Sequence, residues 1–332
     1  MPVLRPTLQN DVHPLFASDR WIELSPAEFE WLQPAVRLAS RFLLLPDLMP
    51  WWIKLCLGQV QRDPRYPIPD GDYFGHVQVT NETIQRTKAI LVEAARFIRI
   101  KLLFPERMDG TLGFTMVRQG ADIWRPTAPS FSDMGYIFWR DKAVSVAIVD
   151  ERSLLYGDSP GWSLERELGM HFQIAVTLVH EATHVINCLR FGGYGPEAWH
   201  TPICDMFLGP RELGVAWETA CFPWRVCTEG PPGNVAQYGV GVVWLCGWPG
   251  SESGVVVAAS QHWIASFFQE AKWAEVETFG WGPQSVGVPL LSGHNTAYAW
   301  DGKSYVWSYD MLAAQWWINQ WALHQQRRMY YR

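Results

Sequence analysis

The sequence predicts an α+β fold, with a helix-rich N-terminal part followed by a small sheet. Long amphipathic runs occupy the first third of the chain, and short alternating, β-branched runs separated by Gly- and Pro-rich breaks occupy much of the remainder. Between them lies His180-Glu181-Ala182-Thr183-His184, inside an apolar stretch that reads as one long helix.

The elements follow in order. Ser25-Pro26-Ala27-Glu28 is a capping box with proline at the first helical position, so a helix opens there and runs to about Leu45. Residues 63–71, with three prolines and a glycine, read as a loop. A second long helix is expected from Glu82 to about Leu103, stopped by Pro105. Residues 111–117 suggest a strand. Tyr136–Trp139 and Val144–Val149 suggest two more, joined by a turn at 140–142; Val144, Val146 and Ile148 share one face of the latter. After a break at 157–161, Ser163 is placed to cap a helix running to about Leu189, which Gly192-Gly193 ends. A further helix is expected over 211–222, and the Gly/Pro cluster 229–233 breaks the chain behind it. Residues 239–246 and 254–259 read as a hairpin, 262–274 as a helix, and strands are expected near Tyr298 and Tyr305. Ser308 would cap a terminal helix. The chain shows no internal repeat. It is read as one unit, 1–332, with a helical lobe 1–110 and a metal-site lobe 111–332 as the alternative division.

His180 and His184 are four apart, so on a helix they are rotated by about 400° and lie on one face. Two imidazoles so placed can give neutral nitrogens to one zinc ion. Glu181 stands beside the first of them, where a general base for a metal-activated water is wanted. The alternative is an ordinary pair of histidines on an amphipathic helix. The strand before the motif, its mid-helix position and the acidic helix after it favour the metal site.

Strand, loop and HExxH helix in that order resemble the zincin metallopeptidases. That resemblance implies a zincin-like fold, with an edge strand beside the active-site helix that holds an extended peptide by backbone hydrogen bonds. It implies that 144–149 is a candidate for that strand. A catalytic zinc takes three protein ligands and keeps one position open. The branch with HExxHxxGxxH is excluded, because Asn187 and Arg190 stand where its glycine and third histidine belong. The gluzincin branch takes a Glu from a later helix, and Glu212-Leu213-Gly214-Val215-Ala216-Trp217-Glu218 resembles the ExGxxWE pattern of HExxH proteins of fungal genomes. Glu212 and Glu218 are six apart, so they point about 120° away from each other on a helix. Glu212 is preferred as third ligand, since Gly214 and Ala216 would let its backbone approach the motif helix. Glu218 is the alternative ligand, or else an acceptor for a ligating histidine or a surface acid. Glu197, His200 and Asp205 rank behind both. Tyr298, Tyr305, Tyr309, His262 and His294 are candidates to stabilise the oxyanion.

Composition narrows the partners. A net charge of −6 and the absence of a basic stripe argue against nucleic acid. No apolar run of about 20 residues suggests a membrane span, and no apolar segment marks the N-terminus, so a cytoplasmic location is expected. The six cysteines form no CxxC pair and read as reduced, buried thiols. Twenty tryptophans are unusual; each is more readily explained as core, although some could line an aromatic pocket. The expectation is a zinc-dependent hydrolase acting on an amide or peptide bond, with Glu181 moving the proton. The rivals are a zinc-dependent tailoring enzyme for a small hydrophobic metabolite, and an inactive binding protein on a zincin scaffold.

Overall fold

The computed structural model describes residues 4–62, 72–103, 113–117, 144–149, 163–191, 213–222, 225–227, 243–246, 255–287, 297–300 and 305–308. These segments are helix-rich with few strands, compatible with an α+β arrangement. Helix α1 (Pro26–Leu43) opens on the expected capping box: Ser25 accepts from the Glu28 amide and the Glu28 side chain reaches back to the Ser25 amide. Helix α2 (Met49–Leu57) was not anticipated from the sequence. The strands β1 (Val60–Arg62) and β2 (Asp72–Phe74) pair antiparallel across the expected loop.

Helix α3 (Asn81–Ala94) ends well before Leu103, which corrects the sequence expectation. Turn bonds at Arg96 and Phe97 close it, and the chain re-emerges as strand β3 (Ile98–Leu103). Ile98 and Ile100 are buried on one face of β3, while its backbone pairs with a distant strand over six residues of register. A β-branched, alternating segment gains more from that ladder than from continuing a helix.

The partner is β5 (Val144–Val149), parallel to β3 on one side and antiparallel to β4 (Gly113–Val117) on the other. The order is therefore β3-β5-β4. This corrects the expectation of 144–149 as a candidate edge strand: β5 is paired on both sides and buried through Val146 and Ile148, and among the described residues β3 and β4 are the outer strands. Its ladder joins residues before and after position 110. The segments Tyr136–Trp139 and 140–142 lie outside the described residues.

Helix α4 (Leu164–Phe191) is the longest helix among the described residues. At 28 residues it is about 42 Å long. It packs against α1, α2, α3, β4 and β5, and against α5 (Leu213–Cys221), which lies within the helix expected over 211–222. Beyond α5, an antiparallel sheet runs in the order β10-β9-β8-β7-β6. Its strands are β6 (Arg225–Cys227), β7 (Trp244–Cys246), β8 (Val255–Ala258), β9 (Ala297–Trp300) and β10 (Tyr305–Ser308). The expected 239–246/254–259 hairpin appears as the β7–β8 pair; the proposed terminal helix lies outside the described residues.

The helix expected over 262–274 is two helices, α6 (Gln261–Ser266) and α7 (Glu270–Phe279), followed by the short α8 (Pro283–Val286). Phe267 and Phe268 at the break are both fully buried. Adjacent residues on a continuous helix point about 100° apart, and the break lets both rings reach the core. The Phe267 carbonyl, released from the helical ladder, accepts from Trp273 Nε1 at 2.9 Å.

The core is aromatic. Phe42 of α1 makes edge-to-face contacts with Phe172, Trp217, Phe222, Phe267, Trp273 and Trp281, at centroid separations of 5.2–6.5 Å. Such pairs add about 0.5–1.5 kcal/mol each beyond area burial. Trp21, Trp51, Trp52, Trp217, Trp263, Trp273 and Trp281 are all buried, so the core reading holds for them. The cluster clamps α1, α4 and α5 together and fixes the rotation of the last two. No helix among the described residues is long and apolar enough to cross a membrane.

Candidate metal centre

From Leu168 to Cys188, every residue of α4 is buried except His180 and His184. A helix enclosed on all sides needs apolar residues all round, and this one supplies them at most positions. The two imidazoles are its window to the surface. Their ring centroids lie 5.4 Å apart on the shared face the spacing predicts.

His180 is fixed from behind. Its Nδ1 stands 2.6 Å from Oε1 of Glu218, and the other oxygen of that carboxylate accepts the Val226 amide of β6 at 2.7 Å. A carboxylate can only accept, so the proton of a neutral His180 sits on Nδ1 and Nε2 keeps the lone pair. This is how a metal-ligating histidine is oriented. Glu218 is 4% exposed, and burial with both oxygens paired distinguishes it from a solvated helical acid. Its place is set by its neighbour: Trp217, in the aromatic core, fixes the turn of α5 that directs Glu218 toward α4. Trp281 Nε1 donates to the Cys221 carbonyl and holds the end of α5.

Gly214, one turn before Glu218, lies against the His180 ring. A Cβ there would fall 2.2 Å from Nε2 and Cδ2, so α5 reaches this distance only because position 214 lacks a side chain.

Glu181 is 3% exposed and lies against β4. Its Oε2 accepts from Thr115 Oγ1 at 2.6 Å, and its Oε1 is 4.0 Å from His180 Nε2. Gly113, two residues before Thr115 on the same face of β4, is the second close approach: a Cβ there would meet Thr177 at 2.6 Å and Glu181 Oε1 at 3.0 Å.

The donor chemistry suits zinc at two positions: two imidazoles on one face, the first with its tautomer fixed so that Nε2 can ligate. Among the described residues, no set of three or more His, Cys, Asp or Glu side chains is arranged to hold a metal ion. Glu212, preferred as third ligand, lies outside the described residues, as do Glu197, His200, Asp205, His294 and Tyr309. Glu218, the alternative ligand, has both oxygens engaged by His180 and Val226, which fits the orienting role rather than the ligating one. His262 is exposed on α6, while Tyr298 and Tyr305 fall in β9 and β10.

Sequence reasoning missed Thr115, Gly113 and the Val226 amide. The 111–117 strand was legible, but nothing in its residues says which helix it faces. Comparison with protein families, curated proteins and solved structures finds no match for this chain.

Proposed function

We propose that this chain is a zinc-dependent hydrolase of gluzincin-like, zincin type that cleaves an amide or peptide bond. The observation that carries the reading is the burial of α4 at every position from Leu168 to Cys188 except its two motif histidines. Core packing alone gives no reason for histidine at the two places where the helix meets the surface. His180, His184 and Glu212 would hold the metal.

Bound there, zinc supplies Lewis acidity and a water that ionises near neutral pH. The chain's own residues do the rest. Glu218 keeps His180 in the ligating tautomer. Glu181 presents Oε1 toward the Nε2 side of His180, so this oxygen takes the proton of the attacking water and hands it to the leaving amine. Burial of the Glu181 carboxylate limits competing water. Among the described residues β4 pairs with β5, and in this reading its other side would take an extended peptide beside the motif helix.

Elemental analysis of the purified protein should find about one zinc per chain, and Glu181→Gln should retain it. The same variant should lose turnover of casein or a fluorogenic peptide library by orders of magnitude. No transition metal after zinc is offered, or near wild-type turnover by Glu181→Gln, overturns the proposal.

A further inference from the structure

We infer that Thr115 is a positioning residue for Glu181: its hydroxyl holds one carboxylate oxygen so that the other faces the metal-binding edge of His180. The inference rests on the hydrolase reading above and adds to it a residue outside the HExxH motif.

Thr115 lies at the centre of β4, opposite Val146 of β5, and is itself buried. Its Oγ1 donates to Glu181 Oε2 at 2.6 Å, with the Glu181 backbone carbonyl a longer 3.4 Å away. A short O–H···O bond to a carboxylate is among the stronger neutral-to-charged contacts, and burial strengthens it. With Oε2 held, rotation about the last side-chain bond of Glu181 is arrested, and Oε1 stays 4.0 Å from His180 Nε2. A glutamate otherwise has a broad, two-fold torsion at this bond. Gly113 completes the device: its missing side chain lets β4 sit against Thr177 and Glu181, close enough for the hydroxyl to reach.

A buried threonine that only satisfied a buried glutamate would affect stability. A positioning threonine affects the turnover step and the setting of the carboxylate. Thr115→Val removes the donor at nearly constant shape, and Thr115→Ser restores it. Zinc content should be unchanged in both. Against the fluorogenic peptide library, Thr115→Val should lose about 10–100-fold in kcat with KM within about twofold, and Thr115→Ser should recover most of it. In metal-free protein labelled with carbon-13 at glutamate carboxyls, the Glu181 resonance, assigned through Glu181→Gln, should move in Thr115→Val and return in Thr115→Ser. If Thr115→Val does not fold, Thr115→Ala is read in the same way.

An unmoved resonance, or a Thr115→Val enzyme with wild-type kcat while Glu181→Gln is dead, overturns the inference and leaves the hydrolase reading standing. An active Glu181→Gln overturns the hydrolase reading. The carboxyl resonance then decides separately whether Thr115 holds Glu181.

Discussion

Gly214 and His180 are in contact across the α4–α5 interface so closely that no side chain fits between them: a Cβ at 214 would stand 2.2–2.3 Å from three atoms of the imidazole. The contact sets how near α5 comes to α4, and so brings Glu218 within 2.6 Å of the same ring. One helix supplies the backbone that lies against the histidine and the carboxylate that orients it.

Gly214→Ala should therefore displace the ring. In an unobstructed helix interior the change would stabilise by about 1 kcal/mol. Here overpacking should reverse the sign, costing about 1–3 kcal/mol. Thermal unfolding should show a lower Tm, and elemental analysis less than one zinc per chain. A variant as stable and as zinc-loaded as wild type would mean the ring is not seated on Gly214.

Loss of Glu218 and loss of Glu212 should differ. Glu218→Ala leaves His180 without its acceptor and the Val226 amide without a partner, so zinc affinity should weaken by about 10–100-fold at unchanged coordination number. Glu218→Gln has a single acceptor oxygen for two donors and should lie between. Glu212→Ala should abolish stoichiometric zinc. Titration against a graded series of chelators ranks the three; zinc lost from Glu218→Ala but held by Glu212→Ala would exchange the two roles.

Stability should fall in mild acid through two buried histidines outside the motif, His13 near the N-terminus and His171 on α4. Burial lowers His13 from 6.5 to about 4. It lowers His171 from 6.5 to about 3, against a weaker opposing pull from the Trp31 backbone. Both are neutral in the folded protein, while the unfolded chain takes up protons below about pH 6.5. Their contribution is intact above pH 6.5 and is lost as pH falls toward 4, by up to about 1.4 kcal/mol per pH unit for each. Urea unfolding at pH 7, 6 and 5 should show this slope. His171→Leu, which keeps an apolar contact near Trp31, should flatten it. An unchanged slope in that variant would assign the acid sensitivity elsewhere.

Cys56 should be chemically silent in the native protein. Burial pushes its thiol up to about 12 despite the nearby Arg190 charge, and it is fully enclosed in α2. Iodoacetamide at pH 8 should leave the Cys56 peptide unmodified until guanidinium is added, as read by mass spectrometry. Labelling of the folded protein at the denatured rate would show that α2 opens readily.

The sequence by itself determined the features that depend on short spacing. The four-residue interval of His180 and His184, Glu181 beside them, and the capping box at Ser25 all lie within a turn or so of helix, where geometry is fixed by the backbone. The 144–149 strand was likewise visible in its alternation. Tertiary structure decided whatever depends on a partner distant along the chain. Residues 98–103 form a strand because β5 offers them a ladder, and the 262–274 segment breaks because Phe267 and Phe268 both bury. Among the described residues β5 is paired on both sides, and it is Thr115 of the neighbouring β4 that meets Glu181. Glu218, read in the sequence as an alternative ligand, an acceptor for a histidine or a surface acid, is turned toward Nδ1 of His180 because Trp217 beside it packs into the aromatic core. Helical angle gives the direction a side chain takes; only the packing of the helix states what Glu218 meets.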